Sequence, residues 1–189
     1  FEHMRILIAT PLYPPDIAPT AVYVKELAKR LCENAHLSIV AYGHMPEKIE
    51  GVRIVPVTKN IPLPFRLIVF TWTLWKEMRN ADVMYVQNGA SAELPAFFVR
   101  LITNTPCIVG LTDVQALTST EHRPVLKGIL GFLLWRTTHI IQGHNTLVPN
   151  PSYLKKTTFV SIPPLRPEIL PFSEYPKQAL QTYEHAWRN

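Results

Sequence analysis

Short uninterrupted apolar runs alternate along this chain with segments whose apolar residues recur every three or four positions, and few folds admit that alternation. The first run is Arg5-Ile-Leu-Ile-Ala9. An apolar run with no polar alternation is what a parallel strand covered on both faces requires. A proline-laden loop, Thr10-Pro-Leu-Tyr-Pro-Pro-Asp-Ile-Ala-Pro19, follows it, with Thr20 as candidate N-cap. Val24, Leu27, Ala28 and Leu31 then fall on one helical face. Leu37–Ala41 and Val52–Val57 read as the second and third strands. Strand, helix, strand in this order predicts an α/β sheet.

The rhythm continues. Residues 65–79 predict a helix with apolar side chains around most of its circumference, and residues 83–86 a strand ending in the polar turn Gln87-Asn-Gly-Ala-Ser91. Leu94, Phe97, Phe98 and Leu101 mark another helical face, and residues 106–111 a fifth strand ending at Thr112-Asp113. Residues 114–124 are polar and read as loop. Residues 125–136 read as an apolar helix, with short strands at 139–142 and 159–162. Four prolines between Pro163 and Pro171 then predict an extended linker, and Ser173 a cap for a last helix. The expected organisation is a Rossmann-like domain over 4–164, a linker over 165–172 and a terminal helix over 173–189 that packs back. The expected fold is an α/β three-layer domain with a mostly parallel sheet.

At 189 residues with 47% hydrophobic and 17% charged residues, the chain can bury a core and is not of disordered composition. The net charge of +5 suits phosphate-bearing ligands or an anionic membrane surface. It is spread along the chain without a basic block, so nucleic acid is not an expected partner. Cys32 and Cys107 have no metal spacing and are expected to be buried free thiols, which fits a reducing cytosol. Met4 is read as the natural start, with Phe1, Glu2 and His3 set aside, and no signal peptide or membrane-spanning run is visible. The dinucleotide fingerprint, the Walker loop, the zinc-protease helix and the nucleophile elbow are all missing. No metal site is expected.

Ligands of open parallel sheets bind beyond the carboxyl ends of the strands, which selects three loops. In the first, the helix N-terminus near Asp16, Ala18, Pro19 and Thr20 is an anion site in principle, although Pro19 has no N–H and the loop no glycine. In the second, Gln87, Asn88, Gly89 and Ser91 offer groups suited to a sugar hydroxyl, or else form a turn and a helix cap. In the third, Thr112 and Asp113 stand at a strand end, followed by Glu121 and His122. Asp113 is a candidate general base or a capping residue, and His122 a looser catalytic candidate.

The segment Met4–Leu31 resembles the opening of family-4 glycosyltransferases of the GT-B fold, with their strand, Tyr-Pro-Pro loop and Leu-Ala-Lys-x-Leu helix. Ala81–Ala96 is similar to that family's fourth-strand segment, residues 106–116 to its next strand and loop, and 138–141 with 159–164 to its last strands before the interdomain linker. Residues 172–186 resemble the family's carboxy-terminal helix, which returns from the second domain. The resemblance implies an acceptor-side amino-terminal domain from which the donor-binding domain, about 150–200 residues, is missing. It also implies a retaining, metal-independent parent enzyme that moves a sugar from a nucleotide sugar to a cell-envelope glycan or lipid-linked acceptor. This chain alone is then expected to be inactive and to hold no cofactor. Two departures stand out. The family's common Gly-Gly pair reads Ala18-Pro19 here, and its frequent histidine is replaced around Thr112-Asp113.

A natural half-enzyme or a membrane-recruiting module that needs a separate donor-binding chain is the alternative. Segments 61–75 and 125–135 are either core helices, a peripheral membrane contact aided by Arg66, Lys76 and Arg79, or a homodimer surface. A cytoplasmic location, with the inner membrane face as an extension of it, is the corresponding expectation.

Overall fold

The computed structural model describes residues 4–43, 45–142 and 158–161. Seven strands form one sheet: β1 (Arg5–Thr10), β2 (His36–Tyr42), β3 (Val52–Val57), β4 (Val83–Gln87), β5 (Cys107–Leu111), β6 (His139–Gln142) and β7 (Thr158–Ser161). Their order is β3-β2-β1-β4-β5-β6-β7, and every pairing is parallel. The chain therefore winds outward from β1 in one direction and returns to add β4 on the other side. This is the doubly wound, Rossmann-like arrangement, with its switch point between β1 and β4.

Five helices complete the described residues: α1 (Pro19–Leu31), α2 (Leu63–Met78), α3 (Ala90–Ile102), α4 (Val114–Glu121) and α5 (Pro124–Arg136). Val24 and Ala28 of α1 pack on Ile8, Ile39 and Tyr85 on one face of the sheet. Phe70 and Leu74 of α2, Ala96 and Val99 of α3, and Leu130, Leu133 and Leu134 of α5 pack on Leu7, Val40, Val86 and Val109 on the other. The three-layer expectation holds.

The structure corrects several local expectations. Residues 114–121 form a helix, because Asp113 accepts the Ala116 N–H at 3.0 Å and so caps a turn that apolar periodicity could not reveal. Helix α1 is capped by the backbone of Ala18 with Pro19 at its first position, so Thr20 lies inside the helix and is not its cap. Helix α3 starts at Ala90 with Gly89 as N-cap, so Ser91 lies in its first turn. Cys107 is buried as expected, whereas Cys32 is only half-buried, and both are free. The expected linker at 165–172 and helix at 173–189 lie outside the described residues.

Helix α2 resolves part of the question its composition raised. It buries Phe70, Leu74 and Met78, but leaves Phe65, Ile68 and Trp72 63%, 64% and 64% exposed. Phe98 and Ile102 of α3 and Trp135 of α5 are exposed as well. These helices are core on one side and openly apolar on the other. Among the described residues, no helix is long and apolar enough to cross a membrane.

Candidate functional site

The carboxyl ends of β1, β4 and β5 bring the loop after Thr10, the turn at Asn88-Gly89 and the Thr112-Asp113 step together at the switch point. Parallel register fixes this meeting, with Ala9 beside Val86 and Gln87 beside Gly110. Gly89 has φ 147°, a conformation L side chains rarely adopt. A Cβ there would come within 2.8 Å of Pro11 Cγ, so the first loop lies directly against the second.

Beneath these loops lies a buried polar network. Tyr85 Oη donates to Gln87 Oε1 at 2.8 Å, and Gln87 Nε2 donates to Asn88 Oδ1 at 2.9 Å and Thr112 Oγ1 at 2.6 Å. Asn88 Oδ1 also accepts the N–H groups of Thr112 at 3.1 Å and Asp113 at 2.9 Å, and Asn88 Nδ2 donates to the Asp113 carbonyl at 2.7 Å. Gln87 and Asn88 are both fully buried. The structure therefore corrects their expected role as open sugar ligands. Their side chains are committed to framework bonds, because a buried amide must satisfy its donors and acceptors internally.

Glu93 extends the network into α3. Its Oε1 accepts the Gly89 N–H at 3.0 Å, while its buried Oε2 has no protein partner. Burial pushes this carboxyl up to about 7, against the opposing effect of the Gly89 hydrogen bond. Sequence reasoning passed over Glu93. Its signal was an acid four residues after the Asn-Gly step, at a helix start.

Two further unpartnered polar atoms lie in the first loop and the helix it feeds. Tyr13 Oη and Thr20 Oγ1 are buried without a hydrogen bond. Burial, helped by Glu47, pushes the Tyr13 hydroxyl up to about 12, so it stays a neutral donor. Asp16 is held by Lys59 through both carboxylate oxygens, at 2.8 and 2.6 Å, which ties the first loop to the segment after β3. Ala18 is half-buried and Pro19 exposed at the start of α1.

Ser91, Thr112 and Asp113 are half-buried at the carboxyl edge. His122 is not among them. It caps the far end of α4, one helix length of about 12 Å from Asp113. It is exposed, so the expected grouping of His122 with Asp113 is not formed. Glu121 occupies the same far end of the helix, and its side chain lies outside the description. Among the described residues, no three His, Cys, Asp or Glu side chains gather where a metal ion could be held.

Arg66 adds charge to this edge. Its guanidinium lies 5.3 Å from the centre of the Tyr42 ring, and the Tyr42 hydroxyl donates to the Ser91 carbonyl at 2.9 Å. A side chain from α2 is thereby connected, through the end of β2, to the first turn of α3.

No family model matches this sequence, and no curated protein matches it. Solved structures do. The chain is similar to Anabaena HepE in complex with UDP and glucose, at 16% identity and a TM-score of 0.57, over 84% of this chain and 44% of HepE. It matches HepE in complex with UDP at 16% identity and a TM-score of 0.56, over 83% and 43%. The chain thus spans less than half the length of the structures it resembles. What the likeness establishes is the fold: a parallel, doubly wound α/β domain of the kind that makes up part of HepE.

Proposed function

We propose that this domain is the acceptor-side half of a glycosyltransferase that moves a sugar from a nucleotide sugar to a cell-envelope glycan or lipid-linked acceptor. The observation that carries the reading is a whole-domain match to less than half of HepE, a protein solved with UDP and glucose. UDP is the leaving group of sugar transfer from a UDP-sugar. In such a reaction the acceptor oxygen forms a bond to the anomeric carbon, the bond to the diphosphate breaks, and the acceptor hydroxyl gives up its proton. Catalysis rests on stabilising the departing diphosphate and orienting the acceptor. The second requirement is assigned to this domain and the first mainly to a donor-binding part beyond it.

The half-buried hydroxyls of Ser91 and Thr112 and the second carboxylate oxygen of Asp113 are the groups placed to meet an acceptor hydroxyl. Gly89 would let the backbone approach it, and the α1 N-terminus at Ala18, Pro19 and Thr20 would face the donor side. The exposed apolar outer surfaces of α2, α3 and α5, flanked by Lys76, Arg79 and Lys127, suit docking on the inner face of a membrane that holds a lipid-linked acceptor.

Titration of this chain with a panel of nucleotide sugars, with turnover followed in the same samples, tests the assignment. The expected result is no binding tighter than millimolar and no transfer. Micromolar binding or transfer places the donor site within these residues and overturns the acceptor-side reading.

A further inference from the structure

Arg66 is a half-buried cation without an ion pair among the described residues. The ion pairs there are Arg5–Asp82, Lys25–Glu47, Lys29–Glu26, Arg53–Glu77 and Lys59–Asp16, and none includes Arg66. Its Nε is buried and has no hydrogen-bond partner. Arg100 shows how this chain treats a buried guanidinium that serves structure alone. Its two terminal nitrogens donate to the carbonyls of Thr103, Thr105 and Arg136, joining the ends of α3 and α5, and its buried Nε alone lacks a partner. Arg66 has only the face of Tyr42 beneath it. A half-buried guanidinium with an empty donor edge is costly unless an acceptor arrives.

The surroundings favour an anion. Arg66 lies in the first turns of α2, which has no acid there. Its ring partner Tyr42 touches Ser91 in the first turn of α3, where the N–H groups of Ala90 and Ser91 have no helical acceptor. Both helix starts add positive potential. The acid in that turn of α3, Glu93, is turned onto Gly89, and burial pushes its carboxyl up to about 7, which reduces its negative charge at neutral pH. The flanking residues Phe65 and Val69 are exposed and apolar.

We propose that Arg66 is an anchoring residue for a phosphate group carried by the acceptor, set beside Ser91 at the carboxyl edge of the sheet. The guanidinium fork matches phosphate oxygens in paired hydrogen bonds. The phosphate belongs either to a membrane-embedded polyprenyl phosphate or to a water-soluble glycosyl phosphate. This inference deepens the acceptor-side reading and rests on it.

The test uses this chain with Arg66 intact, R66M, which keeps the stem over Tyr42, and R66K, which keeps the charge without the fork. Each is titrated calorimetrically with glucose 1-phosphate, with glucose as control. Each is also floated on phosphatidylcholine vesicles with and without a polyprenyl monophosphate. Phosphate-dependent binding is expected in one of the two formats, at least about tenfold weaker in R66M and intermediate in R66K, with closely similar melting temperatures. Binding to glucose 1-phosphate identifies a soluble acceptor phosphate, and binding confined to polyprenyl phosphate vesicles a lipid one. Absence of phosphate-dependent binding in both formats overturns the proposal, as does equal binding by R66M and the parent chain. Should R66M fail to fold, R66K decides: binding equal to the parent's refutes the fork. If nucleotide sugars bind at micromolar concentration while R66M still loses the phosphate, only the acceptor-side assignment fails.

Discussion

Tyr42 Oη donates to the carbonyl oxygen of Ser91 at 2.9 Å, and that carbonyl is the one Pro95 leaves without a helical donor. Proline has no N–H, so in the middle of α3 it strips the carbonyl four residues earlier of its partner. A side chain from the end of β2 supplies the missing donor. Tyr42→Phe is expected to destabilise the chain by about 1–2 kcal/mol, the cost of a buried unsatisfied carbonyl. In a Pro95→Ala background the Ser91 carbonyl regains a backbone donor, and the same substitution should cost clearly less. Urea denaturation of the four variants measures the coupling, and strict additivity would refute the relationship.

Glu93 sets a pH dependence with a definite sign. Burial pushes its carboxyl from 4.5 up to about 7, so the fold favours the protonated form. Its stabilising contribution is complete below the unfolded value and is lost as pH rises through about 7. Glu93→Gln keeps an acceptor for the Gly89 N–H and cannot ionise. Between pH 5 and pH 8 the variant should gain about 2–3 kcal/mol relative to the parent chain. Parallel stability curves for the two proteins would show that the Glu93 carboxyl is not displaced.

Asp113 carries two assignments that one pair of substitutions separates. As the cap of α4, its loss in Asp113→Ala should cost about 1 kcal/mol, while Asp113→Asn should cost only a few tenths. Asparagine cannot accept a proton from an acceptor hydroxyl. In a chain long enough to transfer sugar, D113N should therefore keep its melting temperature and lose turnover if Asp113 also acts on the acceptor. Unchanged turnover would leave it a cap alone.

Gly110 lies directly under the Tyr85 ring, and a Cβ there would come 1.9 Å from Tyr85 Oη and 2.5 Å from Cζ. Gly110→Ala should destabilise by about 2–3 kcal/mol through overpacking. Tyr85→Leu should recover part of that loss when combined with it, and Tyr85→Phe less, since it removes the hydroxyl at 1.9 Å but keeps the ring carbon at 2.5 Å. Melting curves of the three variants decide between them.

The strands were legible in the sequence because runs such as residues 5–9 and 107–111 are covered on both faces and carry no polar alternation. Helix α4 was not legible, since Gln115, Thr118, Ser119 and Thr120 give no apolar stripe and the helix depends on the Asp113 cap. The three switch-point loops could be named because strand ends are visible in a sequence. What each side chain does there could not, because Gln87 and Asn88 look like ligands until tertiary packing buries them. The isolation of Arg66 was equally hidden, since a missing partner is a property of all the surrounding elements at once.

Three hydrogen bonds of the Asn88 side chain join the turn after β4 to the backbone of Thr112 and Asp113, and a fourth ties it to Gln87. In design terms these two loops are one cassette. Grafting either of them alone from a related domain leaves these three bonds without their partners at the graft boundary. Segments 87–89 and 112–116 therefore have to be exchanged together, and variation confined to the rim formed by Ser91, Asp16 and Arg66 is where a new specificity can be written without rebuilding the floor.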